Sequence, residues 1–499
     1  MCFVVQTHDM KEEVIVIGSG VGGLAAAIRL AKLGNKVTVY EKNEFIGGKV
    51  HTRDFSGYRY DMGPSVFTEP HLIEELIALG LDQKPFEYHA LPESFRYFFP
   101  DGTSYTLPTG TEETIKVLVE EFDENPQRVR AYLNRLKRNY EVLKPVFIET
   151  TLHRFAHLFN KQLIPAILHI PRYGLLTTMN GFSNRFFKHP KSVQLMNRYA
   201  TYNGSDPYKT PGLLSIIAHL ELNEGIYFPK GGMVSITQGL AEAARSLGVV
   251  LHSNSPVESI EVTNGRVVGV RVNNTVVPAS IVVSNADAHF TYEHLMPTVK
   301  RPTKILNQEL SSSAVVFYWG MNREFSNLGV HNMFFAKDYQ AEFKAIFDTK
   351  TLIDDPSIYV HISSKAEPSD APPGCENWFV MVNAPINIGQ DWTALVTQLR
   401  IHILNKLSVS LGLDIEPFIV TEYVNDPLRL QHTYNGKGGS IYGNSSNSAL
   451  AAFYRHPNHA PEVKGLYFAG VTVHPGGGIP LAVSGAKIIE RMVRDDFPN

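Results

Sequence analysis

Apolar positions along this chain follow three rhythms. The first is an unbroken β-branched run, Val14-Ile15-Val16-Ile17, followed by Leu24 through Leu33 and then Val37-Thr38-Val39-Tyr40. The short continuous run predicts a strand buried on both faces. The Ala- and Leu-rich segment predicts a helix stopped at Gly34, and the last run predicts a second, parallel strand. The second rhythm is alternation. It runs through Pro256 to Val262 and Val267 to Val272, joined by Asn264-Gly265, and predicts a β-hairpin, because that dipeptide tolerates the positive φ of a tight hairpin turn. The third is a set of apolar strands, Ala314–Trp319, Ile358–Ile362 and Trp378–Val382, separated by long loops; together they predict an antiparallel sheet. Residues from about 70 to 150 read as helical with mixed charge, Thr111 through Leu118 showing a Thr start and acids in the first turn. A helix from Val234 to Leu247 ends at Gly248, and strands at Val249–His252, Ile281–Ala286 and Gly465–Gly470 complete the pattern.

Glycines sit where the first strand meets the first helix. Gly18, Gly20 and Gly23 have the spacing G-x-G-x-x-G, with Val21 and Gly22 between the last two, and Glu41 ends the second strand. Gly18 permits the turn, Gly20 lets a pyrophosphate approach the backbone, and Gly23 lets helix pack on strand. The helix start offers free N–H groups to phosphates, and Glu41 accepts from a ribose. This constellation predicts a dinucleotide site. Gly47-Gly48-Lys49 and Gly63-Pro64-Ser65 extend it: the doublet gives a second close approach, and Lys49 offers a point charge to a phosphate. A nicotinamide has no evident need of that extension, whereas a flavin buried along its length does. Near the C-terminus, Gly476-Gly477-Gly478 precede a helix opened by Ile479-Pro480, a helix start suited to the anionic edge of a reduced flavin. The fold class is therefore α/β, a Rossmann-like FAD-binding domain with an inserted α+β substrate domain of antiparallel sheet plus helices. The expected division assigns 10–85, 226–300 and 420–499 to the FAD domain, and 86–225 and 301–419 to the substrate domain.

With 499 residues, more than one core is required. A net charge of −3 argues against nucleic acid as a partner. The two cysteines, Cys2 and Cys375, form no metal-spaced pair, which points to a reducing compartment. The opening residues lack a basic, apolar leader pattern, and Met10 is a second possible start. No apolar run reaches the length of a membrane-spanning helix. From Thr151 to Ser205 there is no Asp or Glu, while Arg154, Lys161, Arg172, Arg185, Lys188, Lys191 and Arg198 alternate with aromatic and aliphatic residues such as Phe155, Leu158, Phe159, Ile164, Leu168 and Phe187. Pro165 and Pro171 break the segment. Such a stretch suits the plane of an anionic membrane; the alternative is a helical cap over a pocket. His153 and His157 have i, i+4 spacing without a nearby carboxylate, so no metal site is expected.

These motifs together resemble the bacterial-type carotenoid desaturases, the phytoene desaturases and their hydroxycarotenoid relatives. The resemblance spans nearly the whole chain. It rests on Gly18 to Glu41, Gly47-Gly48-Lys49, Asp61 to Ser65, Gly225 to Gly232, Asn285-Ala286-Asp287, His432 to Gly436 and Gly465 to Gly485, with His474-Pro475-Gly476 the most specific part. Val471, Thr472 and Val473 stand where the family has small residues, and Gly477 where it has a small non-glycine residue. The resemblance implies FAD held by Gly18, Gly20, Val21, Gly22, Gly23, Glu41, Lys42, Gly48, Lys49, Gly63, Pro64, Ser65, Val66, Val257, Asn285, Gly470, Gly477, Gly478, Ile479 and Pro480. It implies two-electron dehydrogenation of a carotenoid, at C3–C4 of a 1′-hydroxylated acyclic end, by a cytoplasmic protein held peripherally at the inner face of the cell membrane. A phytoene desaturase, a carotenoid isomerase or saturase, an amine-oxidase-like flavoenzyme and a prenyl-lipid carrier on the same fold are the competing readings. No catalytic base follows from the residues; His474 is the one titratable side chain in the glycine loop, and a structural role suits it equally.

Overall fold

The computed structural model describes residues 12–82, 86–151, 153–154, 163–448, 451 and 454–498; expectations placed on Cys2, Met10, Phe155, His157, Leu158, Phe159 and Lys161 lie outside them. At the centre stands β1 (Glu13–Ile17), followed by α1 (Val21–Lys32) and β2 (Lys36–Tyr40). A five-stranded, wholly parallel sheet has the order Leu466–Phe468, Ile281–Ser284, β1, β2, Val250–His252. The continuous apolar run of β1 has a use for both faces. Val14 and Val16 pack with α1, the helix Val234–Ser246 and the last helix, Ile479–Asp496. Ile15 and Ile17 turn the other way, onto a three-stranded antiparallel layer of Val257–Thr263, Arg266–Val272 and Thr275–Pro278. The turn in that layer is Asn264-Gly265, with φ of 50° and 70° and Thr263 paired to Arg266.

A second sheet has seven strands in the order Ile419–Asn425, Ser313–Met321, Glu376–Ala384, Ile358–Ile362, His331–Phe334, Glu93–Phe98, Ser104–Pro108. All pairs are antiparallel except His331–Phe334 with Glu93–Phe98. On one face Val315, Phe317 and Trp319 pack under the long helix Trp392–Leu411. On the other, Val316 and Tyr318 join Phe95, Met333 and Phe379 in a second hydrophobic cluster.

The stretch from 70 to 150 differs from the all-helical expectation. Strands at Tyr88–Ala90, Glu93–Phe98 and Ser104–Pro108 lie between the helix His71–Ala78 and the helices Thr111–Phe122 and Pro126–Leu143. The alternation is real but sparse: Phe95 and Tyr97 are buried while Glu93 and Arg96 face outward and pair. Thr111 is the first residue inside its helix; Gly110, at φ 125°, is the N-cap and has no side chain to cap with. The strand Ile419–Asn425 belongs to the seven-stranded sheet, so a boundary at 420 falls inside it.

One glycine controls the seat of α1. A β-carbon on Gly23 would stand 2.1 Å from the carbonyl oxygen of Gly18, so any side chain pushes the helix off β1. Gly23→Val is expected to destabilise the protein by at least about 1–3 kcal/mol, seen as a lower melting temperature by circular dichroism.

Candidate functional site

The chain turns at the C-terminal end of β1 with Gly18 at φ +92°, its N–H donating to Tyr40 O at 2.8 Å. Gly20 is the N-cap of α1 and makes no side-chain cap, which leaves the first N–H groups of the helix for a ligand. The turn is kept bare from three sides. A β-carbon on Gly20 would meet Asn285 Nδ2 at 2.8 Å, one on Gly22 would meet Gly470 N at 2.8 Å, and one on Gly48 would meet Gly20 Cα at 2.9 Å. Gly47 forms an isolated bridge to Gly20. Asn285 directly follows the strand Ile281–Ser284 and donates its N–H to Ile17 O at 2.8 Å. It stands between β1 and its neighbour on the other side, where connections leave the sheet in opposite directions; open α/β sheets bind ligands in that crevice.

Glu41 is 4% exposed at the tip of β2. Its Oε2 accepts from Ser19 N–H at 2.9 Å and Ser19 Oγ at 2.8 Å, and its Oε1 accepts from the N–H and Nδ2 of Asn43 at 2.9 and 3.0 Å. A ribose hydroxyl would thus take the place of one of these side-chain donors. Ser19 Oγ also accepts from Gly47 N–H at 3.2 Å, tying the two glycine segments together. Neither Ser19 nor Asn43 was singled out from the sequence; Ser19 fills the unspecified position between Gly18 and Gly20, and Asn43 lies two residues beyond Glu41. Val257 opens its strand near this end, two residues after Ser255 donates to Glu41 O at 2.8 Å.

The two lysines are engaged with the C-terminal part of the chain. Lys42 Nζ donates to His432 O and Asn435 Oδ1, at 2.9 and 2.7 Å. Lys49 Nζ donates to Ile441 O at 2.6 Å. Burial lowers Lys49 to about 8, and the Asp287 carboxylate opposes that shift. Lys49, expected to offer a point charge to a phosphate, is thus tethered at the loop carbonyl of Ile441. Asp61 caps the helix Val234–Ser246, accepting from Met233 and Val234 N–H at 2.9 and 3.3 Å. Gly63 is pressed onto the Lys49 carbonyl, where a β-carbon would come within 2.0 Å.

Gly63, Pro64, Ser65 and Val66 line one wall of a cavity of about 290 Å³, and Gly477, Gly478, Ile479 and Pro480 line another. Gly478 is the N-cap of the last helix and provides no side-chain cap. The departures in this loop have partners. A β-carbon on Gly477 would strike the ring of Tyr442 at 2.3 Å, and one on Gly443 would strike Thr472 at 2.9 Å, so Gly477 and the bulkier Thr472 are each matched across the loop. Val473 is core. His474 is 1% exposed, burial pushes it down to about 4, and its Nε2 bonds to Thr150 O at 3.0 Å; it does not line the cavity and is structural. Arg455 does line it, held by the carbonyls of Tyr442, Asn444 and Val471, with burial lowering it to about 10. The remaining walls are mostly apolar and aromatic, among them Phe95, Phe147, Ile217, Tyr359 and Phe379. Tyr359 and Phe379 come from predicted strands, but Phe95 and Phe147 come from the stretch read as helical, because a wall assembled from distant segments has no local signature.

A bare glycine turn at a switch point, a buried acid at the ribose position and a second helix start facing a deep cavity fit a flavin dinucleotide. They define an FAD-dependent oxidoreductase. The chain belongs to the family of flavin-containing amine oxidoreductases, whose profile matches residues 21–357. It is 45% identical over 483 residues to a 1-hydroxycarotenoid 3,4-desaturase of Flavobacterium sp. (strain P99-3), covering 97% of this chain and 99% of the relative. It is 30% identical to a phytoene desaturase of Fusarium fujikuroi, over 98% of this chain and 90% of that one. Among solved structures, cyclohexylamine oxidase from Brevibacterium oxydans IH-35A shares the fold, with a TM-score of 0.62 at 15% identity, over 98% of this chain and 100% of that one.

Glu41→Ala removes the acceptor at the ribose position and leaves Ser19 and Asn43 without their partner. Loss of a buried acceptor costs about 1–3 kcal/mol, so the FAD dissociation constant is expected to rise roughly tenfold to a hundredfold, read from flavin fluorescence on dilution.

Proposed function

We propose that this chain is a carotenoid desaturase that introduces a C=C bond at C3–C4 of a 1′-hydroxylated acyclic end. The observation carrying the reading is the near full-length similarity to a relative named for that reaction. The aromatic-walled cavity that ends on the Gly476–Ile479 segment supports it, since a polyene needs an apolar slot. Bound FAD supplies the two-electron acceptor. The glycine segments Gly18–Gly23, Gly47–Lys49, Gly63–Val66 and Gly470–Pro480, with Glu41, Lys42, Val257 and Asn285, serve in this reading to hold it along the crevice from Glu41 to Ile479. The chain's part in the reaction is to hold the polyene, exclude water and bring the reacting carbon within about 3–3.5 Å of the acceptor. The FAD-binding part is read as 10–85, 226–300 and the chain from Asp426 onward, with the seven-stranded sheet and its helices binding substrate.

Access to a bilayer forms part of the same reading. Among the described residues no helix is long and apolar enough to cross a membrane. The acid-free stretch divides in two. Arg154, Lys191 and Arg198 are committed to Asp496, Asp101 and Glu221, and Arg198 is 3% exposed, so these do not serve as a basic rim. The short helix Leu163–His169 and the turns after it instead expose Ile164, Ile167, Leu168, Ile170 and Leu176, the last fully. Arg172 is exposed beside them, and the charges of Arg172, Arg138 and Arg135 act on His169 after burial in lowering it. Tyr173 and Leu175 pack in one cluster with Phe147 and Ile216, and both of those line the cavity. An apolar path from surface patch to cavity supports peripheral insertion into an anionic leaflet, at the inner face of the cell membrane, as the route of substrate entry.

Two measurements test this. Anaerobic incubation with anionic liposomes carrying a hydroxylated acyclic carotenoid is expected to bleach the flavin and yield a product two hydrogens lighter; a flavin that stays oxidised removes the reading. Leu168→Asp with Leu176→Asp is expected to weaken liposome binding at least tenfold, given about 1.5–3 kcal/mol per buried Leu, without loss of FAD. Unchanged sedimentation with liposomes would leave the stretch as an ordinary lid.

A further inference from the structure

The cavity contains one carboxylate. Glu69 is the only acidic residue among those lining it, and its side chain is 3% exposed. Its two partners, Tyr140 Oη and Lys144 Nζ, both donate to Oε1, at 2.6 and 2.8 Å. Among the described residues Oε2 accepts no hydrogen bond. A buried carboxylate with one oxygen held by a hydroxyl and a cation, and the other unclaimed, is oriented rather than merely neutralised. The backbone at Glu69 has φ +51°, the left-handed region that non-glycine residues seldom adopt; such outliers gather at functional sites.

Its position in the fold is apt. Glu69 immediately precedes Pro70 and the helix His71–Ala78, which packs against the last helix, Ile479–Asp496. Lys144 opens the segment Lys144–Ile148, which contacts that same helix and whose Phe147 ring meets His474 at 5.1 Å. Glu69 and Tyr140 line the same cavity as Gly476 to Leu481, with Lys144 behind them. Other titratable groups of the wall are less suited to taking a proton. Arg198 and Arg455 are cations. Tyr359 shares its hydroxyl with Ser65 and with His331 Nδ1, both at 2.7 Å, and has no free charge.

We propose that Glu69 is the proton acceptor of the desaturation, an assignment that rests on the desaturase reading above. Forming the double bond removes one hydrogen from each of two adjacent carbons. One carbon gives up hydride with its bonding pair, for which FAD held along Gly476 to Pro480 would be the acceptor. The neighbouring carbon loses a proton to Glu69 Oε2, and the pair left behind becomes the second C–C bond. Tyr140 and Lys144 hold Oε1 so that Oε2 remains the acceptor. As a positive charge develops on the polyene, an adjacent anion in a dry cavity also stabilises it.

The test is anaerobic flavin reduction by a carotenoid in liposomes, using holoenzyme. Glu69→Gln keeps the shape and an acceptor for Tyr140 but removes the base. Flavin reduction is expected to slow roughly 100-fold or more, with half-saturating substrate and FAD content unchanged. A deuterium isotope effect for the deprotonated carbon should become larger than in the parent. Formate added to Glu69→Ala is expected to restore part of the rate, which a purely structural role would not allow. Glu69→Asp is the second variant, retaining a carboxylate; a rate between parent and Gln is expected, and it serves if the Gln protein does not fold. Parental rate and isotope effect in Glu69→Gln, or in Glu69→Ala without formate, overturn the assignment alone. A parent flavin that no carotenoid reduces overturns the desaturase reading and this assignment with it.

Discussion

The side-chain amide of Asn285 decides what the middle of this protein is able to be. A β-carbon added to Gly20, Gly22 or Gly470 would stand 2.8 Å from its Nδ2 or Oδ1, and one on Gly23 would stand 3.1 Å from the Asn285 β-carbon. β1 and the strand Ile281–Ser284 are neighbours in the sheet, and α1 and the C-terminal strand converge on the gap between their ends. Only a backbone stripped of side chains fits there, and a stripped backbone exposes the N–H groups that anions seek. The same close packing that seats α1 on β1 therefore makes the nucleotide crevice; fold and site are one constraint.

The second sheet is organised by a division of its two faces. Odd positions of Ser313–Met321 go under the helix Trp392–Leu411, and even positions join the cluster that reaches the cavity. Polar groups are admitted to that side only with partners. Arg198 donates to Glu221 at 2.7 Å, while Tyr199 and Tyr202 add hydroxyls to the same carboxylate. Burial would otherwise make such a charge very costly. A wall built in this way stays apolar to a hydrocarbon ligand while remaining electrostatically satisfied.

Local patterns in the sequence account for the elements whose cause is local. The run Val14–Ile17, the G-x-G-x-x-G turn, Glu41 and Asn264-Gly265 each encode their geometry within a few residues. The strand Glu93–Phe98 escaped because Glu93 and Arg96, an ion pair on its outer side, dilute the apolar alternation of Phe95 and Tyr97. The basic stretch misled by composition. Arg198 is as basic as Arg172 on paper, but Glu221, distant in sequence, draws it into the core. Glu69 passed unnoticed for the same reason: its meaning comes from Tyr140 and Lys144, about seventy residues away. Val257 and Lys42 follow from likeness of the whole chain, and no local pattern marks either of them.

The carboxylate of Glu41 has a consequence for which nucleotides the crevice accepts. Ser19 and Asn43 keep it solvated by protein donors, and among the described residues no cation makes an ion pair with it, Lys42 donating instead to His432 O and Asn435 Oδ1. A nucleotide whose ribose bears a 2′-phosphate would bring a dianion against this buried negative charge, in surroundings of low dielectric that strengthen the repulsion. With this carboxylate at the ribose position, the crevice would disfavour a 2′-phosphorylated dinucleotide by charge, before any flavin-specific contact is made.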